Sequence, residues 1–478
     1  MSSSEKINSL LEKGILLSPD LIDETLSEEK IEELKSNEAV IQKKNPENNE
    51  KSVSDLTNSA KVKVVHSYNK KSHKRQIQDF VKLFNLRFKG LEKFIKQRPE
   101  MQGLTSINRV VQKDERDNVS IIGMVSSKTI TKNDNILLTL EDLTGKISVL
   151  IHKNNKDIHE IAKDLVLDEV IGVVGSVGKN IIFSNNLIFP DVSLNKEMKK
   201  APEESYAVFI SDLHIGSNFF LEKEFNKFLN WINGKTGTKE QKVMAEKTKY
   251  IFICGDLVEG VGIYPGQEED LKFTDIKEQY KILADYLKTI SLDKKIIISP
   301  GNHDAGRIAE PQPPIYHDFA GPLWELPNVI LVSNPATVNI GSNEDFSGLD
   351  VLLYHGYSLI YYANNVQSIR NLGGQKRVDL LMKFLLQKRH LAPTHESNMY
   401  IPDAEEDSLI IEKVPDVFVT GHIHRATASQ YRNVTLLNTS CWGEITEDQE
   451  KRGLEPQPAR VFVMNLQSRK IKMINFFR

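Results

Sequence analysis

The segment Tyr206-Ala-Val-Phe-Ile-Ser-Asp-Leu-His214 predicts the fold of the larger part of this chain. Its first five residues form an apolar run, which is typical of a strand buried on both faces of a mostly parallel sheet. Two polar residues, Asp212 and His214, follow where that strand should end. A buried strand that ends at a carboxylate and an imidazole predicts an α/β layered domain with a site at its strand ends.

The same pattern occurs four more times along the chain. The further apolar runs and the polar residues after them are Tyr250–Cys254 before Asp256, Lys295–Ser299 before Asn302, His303 and Asp304, Val351–Tyr354 before His355, and Val417–Thr420 before His422 and His424. Helical stretches are predicted between the strands, at 221–233, 275–290 and 375–390. Because the ends of adjacent strands lie along one edge of an α/β sheet, we expect these side chains to converge.

The residue types point to two divalent cations. A single histidine after a strand is usually a hydrogen-bonded core residue, but five such signals in order favour a metal centre. Oxygen and imidazole ligands suit Mn²⁺, Fe²⁺ or Zn²⁺, with Mg²⁺ as a further candidate, and one carboxylate can bridge two ions. Glycines before Asp256, Asn302 and His422 would let the backbone turn tightly beside the ions.

Residues 115–195 are expected to form a separate β domain. Five short strands are predicted at 119–125, 136–140, 147–151, 170–174 and 181–183, with a helix over 158–165 between the third and the fourth. This order resembles the OB-fold, a small five-stranded barrel. Such barrels often bind single strands by stacking bases on aromatic side chains. Since this one has few aromatic residues, a scaffold role is an equal alternative.

The first 98 residues are predicted in three parts: a small helical module at 1–36, a disordered polar linker at 37–75 and an amphipathic helix at 76–98. Residues 61–98 contain 12 Lys or Arg against Asp79 and Glu92 alone. The basic face of the helix is either a solvated surface or a nucleic-acid contact, while its apolar stripe must pack on a neighbouring domain. We expect a protease-stable fragment that begins near Gln76.

The composition of the 478 residues excludes several classes of protein. The formal net charge of −3 rules out a globally basic nucleic-acid binder, so any such surface must be local. Two cysteines, Cys254 and Cys441, are too few for a disulfide framework or a cysteine zinc cluster, which suits a reducing compartment. The sequence shows no secretory signal and no run of 18 apolar residues. We therefore expect a cytoplasmic protein with no membrane contact.

The five segments together resemble the calcineurin-like metallophosphoesterases, whose pattern is D-x-H, G-D, G-N-H-[DE], H and G-H-x-H. The resemblance covers about residues 206–476, within a domain expected over 203–478, and implies a two-metal phosphodiesterase with an α/β sandwich fold. It implies that Asp212, His214, Asp256 and His424 hold the first ion. Asp256 would bridge to a second ion, completed by Asn302, His355 and His422. His303 would act beside the scissile phosphate as a catalytic residue, oriented by Asp304.

The order of the domains resembles the small-subunit family of the archaeal D-family DNA polymerases and, more distantly, the B-subunits of eukaryotic replicative polymerases. The segments Leu10–Leu21, Val208–Ser217 and Ser440–Gly443 carry the resemblance. It implies a 3′–5′ proofreading exonuclease subunit that binds a large catalytic subunit and the 3′ primer end of DNA. The tail 470–477 faintly resembles a peptide that binds a sliding clamp, but it also reads as the second strand of a hairpin after 461–466, with a turn at 467–469.

Two other functions are compatible with the sequence. Eukaryotic B-subunits have lost the metal ligands and act as scaffolds, whereas every ligand position is filled in this chain. A free-standing phosphodiesterase for a small nucleotide or a protein phosphate is the third hypothesis, although such an enzyme needs neither an OB-fold nor a basic helix. The fold alone does not decide between these substrates.

Overall fold

A computed structural model describes residues 60–71, 74–113, 116–451, 453 and 455–477. The helical module predicted for 1–36 and the part of the predicted linker before residue 60 lie outside these ranges. Across the described ranges, no helix combines the length and the apolar character that crossing a bilayer requires.

Residues 62–67 correct the predicted linker. Val62–Ser67 form strand β1, which runs antiparallel to residues 336–340 with Val62 opposite Ile340. The prediction of disorder over 37–75 is therefore wrong for residues 62–67. We expect a protease-stable fragment to include this strand, so its start near Gln76 would move toward the N-terminus. The strand was missed because none of its side chains is fully buried and its partner strand is far away in the sequence.

An amphipathic helix, α1 (Ile77–Lys96), follows β1. Its stripe of Phe88, Leu91 and Ile95 packs on the outside of the neighbouring barrel. The first turns differ from the predicted stripe, because Ile77 is 79% exposed and Val81 is 56% exposed. In this first half of the helix Phe80 and Leu83 still contact the sandwich, so only Ile77 and Val81 of the stripe are left without packing on another domain.

A closed five-stranded barrel follows the short helix α2 (Ile107–Val110). The elements of the barrel are β2 (Asn118–Ile130), β3 (Ile136–Asp142), β4 (Gly145–Ile151), α3 (Lys156–Lys163), β5 (Val170–Gly178) and β6 (Ile181–Ile188). The strands close in the order β2-β3-β4-β6-β5 around a core of aliphatic side chains. All five predicted strands and the helix between the third and fourth strands are observed.

The rest of the described chain contains two six-stranded sheets. The first has the order β1, β11 (Ala336–Ile340), β12 (Leu349–Leu353), β13 (Val417–Thr420), β15 (Val434–Asn438) and β14 (Thr427–Tyr431). The second has the order β10 (Val329–Leu331), β9 (Lys295–Ser299), β8 (Thr248–Cys254), β7 (Tyr206–Ile210), β16 (Arg460–Asn465) and β17 (Ile471–Asn475). Within each sheet the strands that lead into the predicted site residues are parallel neighbours.

The two sheets face each other, and helices cover both outer faces. Alternate residues such as Phe209, Phe252, Val351 and Val419 meet in a core between the sheets. The outer layers contain the helices α4 (Glu222–Ile232), α5 (Lys239–Glu246), α6 (Ile276–Leu287), α7 (His317–Trp324), α8 (Leu359–Asn365), α9 (Gln367–Asn371) and α10 (Val378–Lys388). A short helix, α11 (Glu447–Lys451), precedes β16. Three short 3₁₀ turns span Gln267–Glu269, Gly374–Arg377 and His395–Ser397. Helices therefore occupy the three predicted stretches.

The C-terminal segment forms the predicted hairpin. Strands β16 and β17 pair antiparallel, with Val461 opposite Ile474, and β16 also pairs with β7. Residues 471–475 are thus part of the second sheet, which is the alternative that the sequence favoured over a free clamp-binding peptide.

A buried ion pair fastens α1 to the sandwich. The guanidinium of Arg87 donates from Nε to Asp407 Oδ2 at 2.8 Å and from Nη1 to the Pro393 carbonyl at 2.7 Å. Both charged side chains are almost fully buried, with 0% and 2% of their surface exposed. A second buried ion pair joins the sandwich to the barrel: Lys388 of α10 contacts Glu169, which directly precedes β5, at 2.5 Å. Removing one partner of such a pair leaves an uncompensated buried charge.

We expect Arg87→Met to lower the free energy of unfolding by about 3–5 kcal/mol, because Asp407 would remain buried without its cation. The matched control is Lys93→Met on the same helix, since Lys93 pairs with Glu412 at 3.0 Å with 47% and 68% of the side chains exposed. The control should cost less than about 1 kcal/mol. Equilibrium urea unfolding followed by circular dichroism measures both, and equal losses would contradict the assignment.

Candidate metal centre

The predicted site residues converge at one end of the sandwich from two sheets. Asp212 and His214 follow β7, Asp256 follows β8, and Asn302 and His303 follow β9, all in the second sheet. The remaining residues follow strands of the first sheet: His355 after β12, and His422 and His424 after β13. The side chains converge as expected, but the strands that carry them belong to two facing sheets whose strand ends meet, not to the single sheet edge from which the convergence was argued.

Five of these residues have a backbone conformation that side chains rarely adopt. The φ angles are +51° at Asp212, +51° at His214, +49° at Asp256, +66° at His422 and +57° at His424. A left-handed non-glycine residue costs on the order of 1–3 kcal/mol and persists only where surrounding contacts fix it. Such clustering of backbone strain is typical of functional sites.

Hydrogen bonds between the loops supply those contacts. The His214 amide donates to the Asp256 carbonyl at 3.1 Å, and the Asp212 amide donates to the Gly255 carbonyl at 2.9 Å. The His422 amide donates to the Asp212 carboxylate at 3.0 Å. Each loop is therefore held in place by its neighbours.

One group of donor atoms contains Asp212, His214 and His424. The Nε2 atoms of His214 and His424 lie 3.2 Å apart, and Asp212 Oδ1 lies 3.3 Å from His424 Nε2. Three ligand atoms this close, from a carboxylate and two imidazoles, can surround a single cation.

A second group contains Asp256, His355 and His422, with Asn302 beside them. His355 Nε2 lies 3.2 Å from Asp256 Oδ2 and 3.1 Å from Asn302 Oδ1. The same Asp256 Oδ2 lies 3.9 Å from His214 Nε2 of the first group. The Asp256 carboxylate is thus the side chain placed between the two groups.

The second ring nitrogens of two histidines are held by the protein. His355 Nδ1 donates to the Cys254 carbonyl at 2.9 Å, and His214 Nδ1 lies 2.9 Å from Glu259 Oε2. These contacts fix the tautomer in which Nε2 keeps its lone pair, which is how outer partners prepare histidines to bind a metal.

Glu259 was missed by the sequence analysis. It is buried and also touches His303, whose Nδ1 lies 2.8 Å from the Glu259 carbonyl oxygen and 3.8 Å from its Oε1. The available signal was a carboxylate just after the apolar pair Leu257-Val258 and three residues beyond Asp256. A metal-binding histidine needs an outer carboxylate or carbonyl, so an acid at this position was a candidate.

The predicted role of Asp304 is wrong. Its carboxylate accepts hydrogen bonds from the Gly301 amide at 2.8 Å, the Leu257 amide at 3.2 Å and the Tyr280 hydroxyl at 3.0 Å, so it braces the two loops and does not orient His303. Burial, together with the nearby Asp256, raises the pKa of Asp304 to about 7. Glu259 makes the contacts with His303 that were expected of Asp304.

Glycines make the close approach of the loops possible, as their positions in the sequence predicted. Gly255 has a φ of +83°, and a Cβ there would lie 2.2 Å from His355 Nδ1. At Gly301 a Cβ would lie 2.3 Å from Asp256 Oδ1. Any larger residue at these positions would displace a donor side chain.

The histidines and carboxylates strongly perturb one another. Although burial opposes it, Asp256 raises the pKa of His355 to about 10, and the pKa of His424 is raised well above its ordinary value by Cys441 and Asp212. Burial and the neighbouring His355 lower the pKa of His422 to about 3. Burial alone would raise the pKa of Asp256, but His355 and His303 hold it well below its ordinary value. Protons and metal cations compete for such ligand atoms.

Comparisons with known proteins place this arrangement among replication proteins. Residues 207–429 match the family model that describes the B-subunits of DNA polymerases alpha and epsilon, and residues 119–194 match the model of an OB-fold nucleic acid binding domain. The closed barrel β2–β6 is therefore an OB-fold, as predicted.

Curated relatives identify the family more narrowly. The DNA polymerase II small subunit of Methanothermobacter thermautotrophicus is 40% identical over 82% of this chain and 78% of the relative, and that of Archaeoglobus fulgidus is 40% identical over 82% and 76%. The Pyrococcus furiosus small subunit is 38% identical over 84% of this chain and 64% of its own length. The chain belongs to the family of archaeal DNA polymerase II small subunits, which confirms the resemblance to the D-family.

We expect Glu259→Ala to weaken Mn²⁺ binding by about 10–100-fold, because His214 would lose the partner that orients its ring. Glu259→Gln retains an oxygen acceptor and should recover part of the affinity. The control is Glu268→Ala on the exposed 3₁₀ turn nearby. Isothermal titration calorimetry measures the affinities, and an unchanged value for Glu259→Ala would remove Glu259 from the site.

Proposed function

We propose that this chain is the 3′–5′ proofreading exonuclease subunit of a two-subunit replicative DNA polymerase, with a calcineurin-like two-metal phosphodiesterase site. The observation that carries the proposal is the complete set of donor atoms at the strand ends. Seven side chains supply two groups of ligand atoms, and Asp256 lies between them. A subunit that served only as a scaffold would have no use for strained backbone at five of these positions.

The donor set fits two divalent cations. The first would be held by Asp212, His214, Asp256 and His424, and the second by Asp256, Asn302, His355 and His422. Mixed imidazole and oxygen ligands suit Mn²⁺, Fe²⁺ or Zn²⁺, with Mg²⁺ as a further candidate. When bound, two such cations lower the pKa of water and offset negative charge on a phosphodiester.

His303 is the proposed catalytic residue. Its amide donates to Asp256 Oδ1 at 2.9 Å, and its Nδ1 is engaged by Glu259. Its imidazole is partly exposed at the edge of the first group, where its ring lies 4.7 Å from that of His214. Because Nδ1 donates its own proton to the Glu259 carbonyl, Nε2 carries a proton toward the leaving oxygen of a phosphodiester when the ring is an imidazolium, and Glu259 keeps the ring in that orientation.

The substrate and the partner follow from family membership. The relatives are named as small subunits of a DNA polymerase. A large catalytic subunit is therefore the proposed partner and the 3′ primer end of DNA the proposed substrate. The OB-fold would contribute to strand binding. The cleavage polarity rests on the resemblance to the polymerase family.

The scaffold and the free-standing phosphodiesterase are separated from this proposal by one experiment. The protein is purified with its native partners and assayed on primers with matched and mismatched 3′ ends in Mn²⁺. We expect metal-dependent removal of 3′ nucleotides, faster at the mismatch. If the chain co-purifies with partners but the complex has no nuclease activity, the scaffold is supported. If the chain purifies alone and cleaves small phosphodiesters but not DNA, the free-standing enzyme is supported.

Asp256→Ala should reduce the metal content of the protein to well under one ion per chain, because the variant lacks the carboxylate shared by both groups. The control Asp285→Ala removes an exposed carboxylate on α6, which pairs with Lys281 one turn away. Elemental analysis after dialysis against Mn²⁺ counts the ions. Retention of two ions by Asp256→Ala would refute the bridging role.

His303→Ala should keep the metal content near that of the wild type and lower the turnover of DNA by about 10²–10⁴-fold, since it loses the proton donor or charge stabiliser. His317→Ala, an exposed histidine on α7, serves as the control. Elemental analysis measures the metal content of each variant, and an exonuclease assay measures its turnover. If His303→Ala lost one ion, His303 would be a ligand and its proposed role would be wrong.

A further inference from the structure

A cavity of about 380 Å³ beside the metal centre is lined by three cationic side chains. These are Arg370 of α9, Lys376 of the 3₁₀ turn and Arg425, which follows His424 directly. The segment around Arg370 had no interpretation from the sequence. The function of this segment is therefore inferred from the kind of molecule that the cavity can bind.

The cavity adjoins the proposed ligands through the backbone. Ile423, which lies between His422 and His424, forms part of its wall. On the opposite side the Gln457 amide donates to the His424 carbonyl at 2.8 Å, so the segment that contains Glu455 is anchored to a ligand residue. A molecule in the cavity would lie next to a substrate held at the metal centre.

The charges of the cavity are only partly compensated. Glu455 pairs with Lys376 at 2.6 Å and with Arg425 at 3.3 Å. Arg370 has as its hydrogen-bond partner the Asn364 carbonyl, at the long distance of 3.5 Å. Half of the Lys376 side chain is exposed, as is more than half of Glu455. The lining therefore has three cations and one exposed carboxylate, which pairs with Lys376 and Arg425 but not with Arg370, so the cavity is suited to a further anion.

We propose that this cavity binds a backbone phosphate of the DNA strand adjacent to the bond that is cleaved, and that Glu455 occupies two of its cations until the strand arrives. The proposal rests on the proposed exonuclease function and identifies its strand-positioning residues. Arginine side chains bind phosphate through a planar fork of N–H donors. An enzyme that shortens a strand of any sequence must hold the repeating backbone, and phosphate contacts carry no sequence information.

The test is DNA binding by the full-length chain without metal. Fluorescence anisotropy of a labelled single-stranded oligonucleotide in EDTA gives the affinity as a function of salt. We expect the double variant Arg370→Gln/Arg425→Gln to bind about 10-fold more weakly at 0.1 M salt. The slope of log affinity against log salt should fall by about 1.4, since each contact to a single-strand phosphate contributes ~0.7.

Three further variants separate this role from a structural one. Lys227→Gln/Lys281→Gln removes two exposed cations elsewhere on the domain, each of which pairs with a carboxylate of its own helix, and should change neither quantity. Arg370→Lys/Arg425→Lys keeps the charges and should restore the slope. Glu455→Gln should tighten binding, because the carboxylate would no longer compete with phosphate.

Several results would overturn the proposal: no binding by the wild type at low salt, an unchanged slope for the double glutamine variant, or weaker binding by Glu455→Gln. A nucleoside monophosphate that bound as tightly as the oligonucleotide would overturn it too, since the cavity would then hold the released product. Failure of the exonuclease proposal is distinguishable, because it would appear as strand binding through these arginines without metal-dependent cleavage.

Discussion

The face-to-face packing of the two sheets is the constraint on which the site depends. Phe209 and Phe252, whose rings stack at 5.1 Å, meet aliphatic side chains of the first sheet in the inner core. Each group of donor atoms draws on both sheets. Asp212 and His214 need His424 from the facing sheet, and Asp256 needs His355 and His422. A shift of one sheet against the other would therefore break both groups at once, so the inner core determines the chemistry as much as the ligands do.

Continuous apolar runs explain why so much of the fold could be predicted. The strands at 206–210, 250–254, 295–299 and 417–420 are buried on both faces over most of their length, so consecutive residues carry the apolar signal. The distribution of these strands over two sheets could not be predicted, because a buried strand looks the same in either sheet. Edge strands were hard to predict for a different reason, because they lack a continuous apolar run. β14 and β1 expose many of their side chains, and main-chain pairing leaves no pattern of residue types.

In the site, too, the residues near one another in sequence could be predicted, whereas contacts between distant segments could not. Every proposed ligand was recognisable, since the residue types after each strand are those that can bind cations. The supporting contacts were not, because they depend on which way a loop turns. Asp304 follows His303 in the sequence, yet its carboxylate faces the amides of Gly301 and Leu257. Glu259, which lies 44 residues earlier, reaches His303 instead.

Strand β1 dictates an order of events during synthesis of the chain. It is translated before the barrel, yet the strand it pairs with, β11, is translated after the barrel and most of the second sheet. Arg87 likewise precedes Asp407 by most of the sandwich. The pairings of the barrel all lie within residues 118–188, so the barrel can close as soon as it leaves the ribosome. Strand β1 and the ion pair of Arg87 thus form only when most of the sandwich has been made, whereas the stripe of α1 can pack on the barrel earlier.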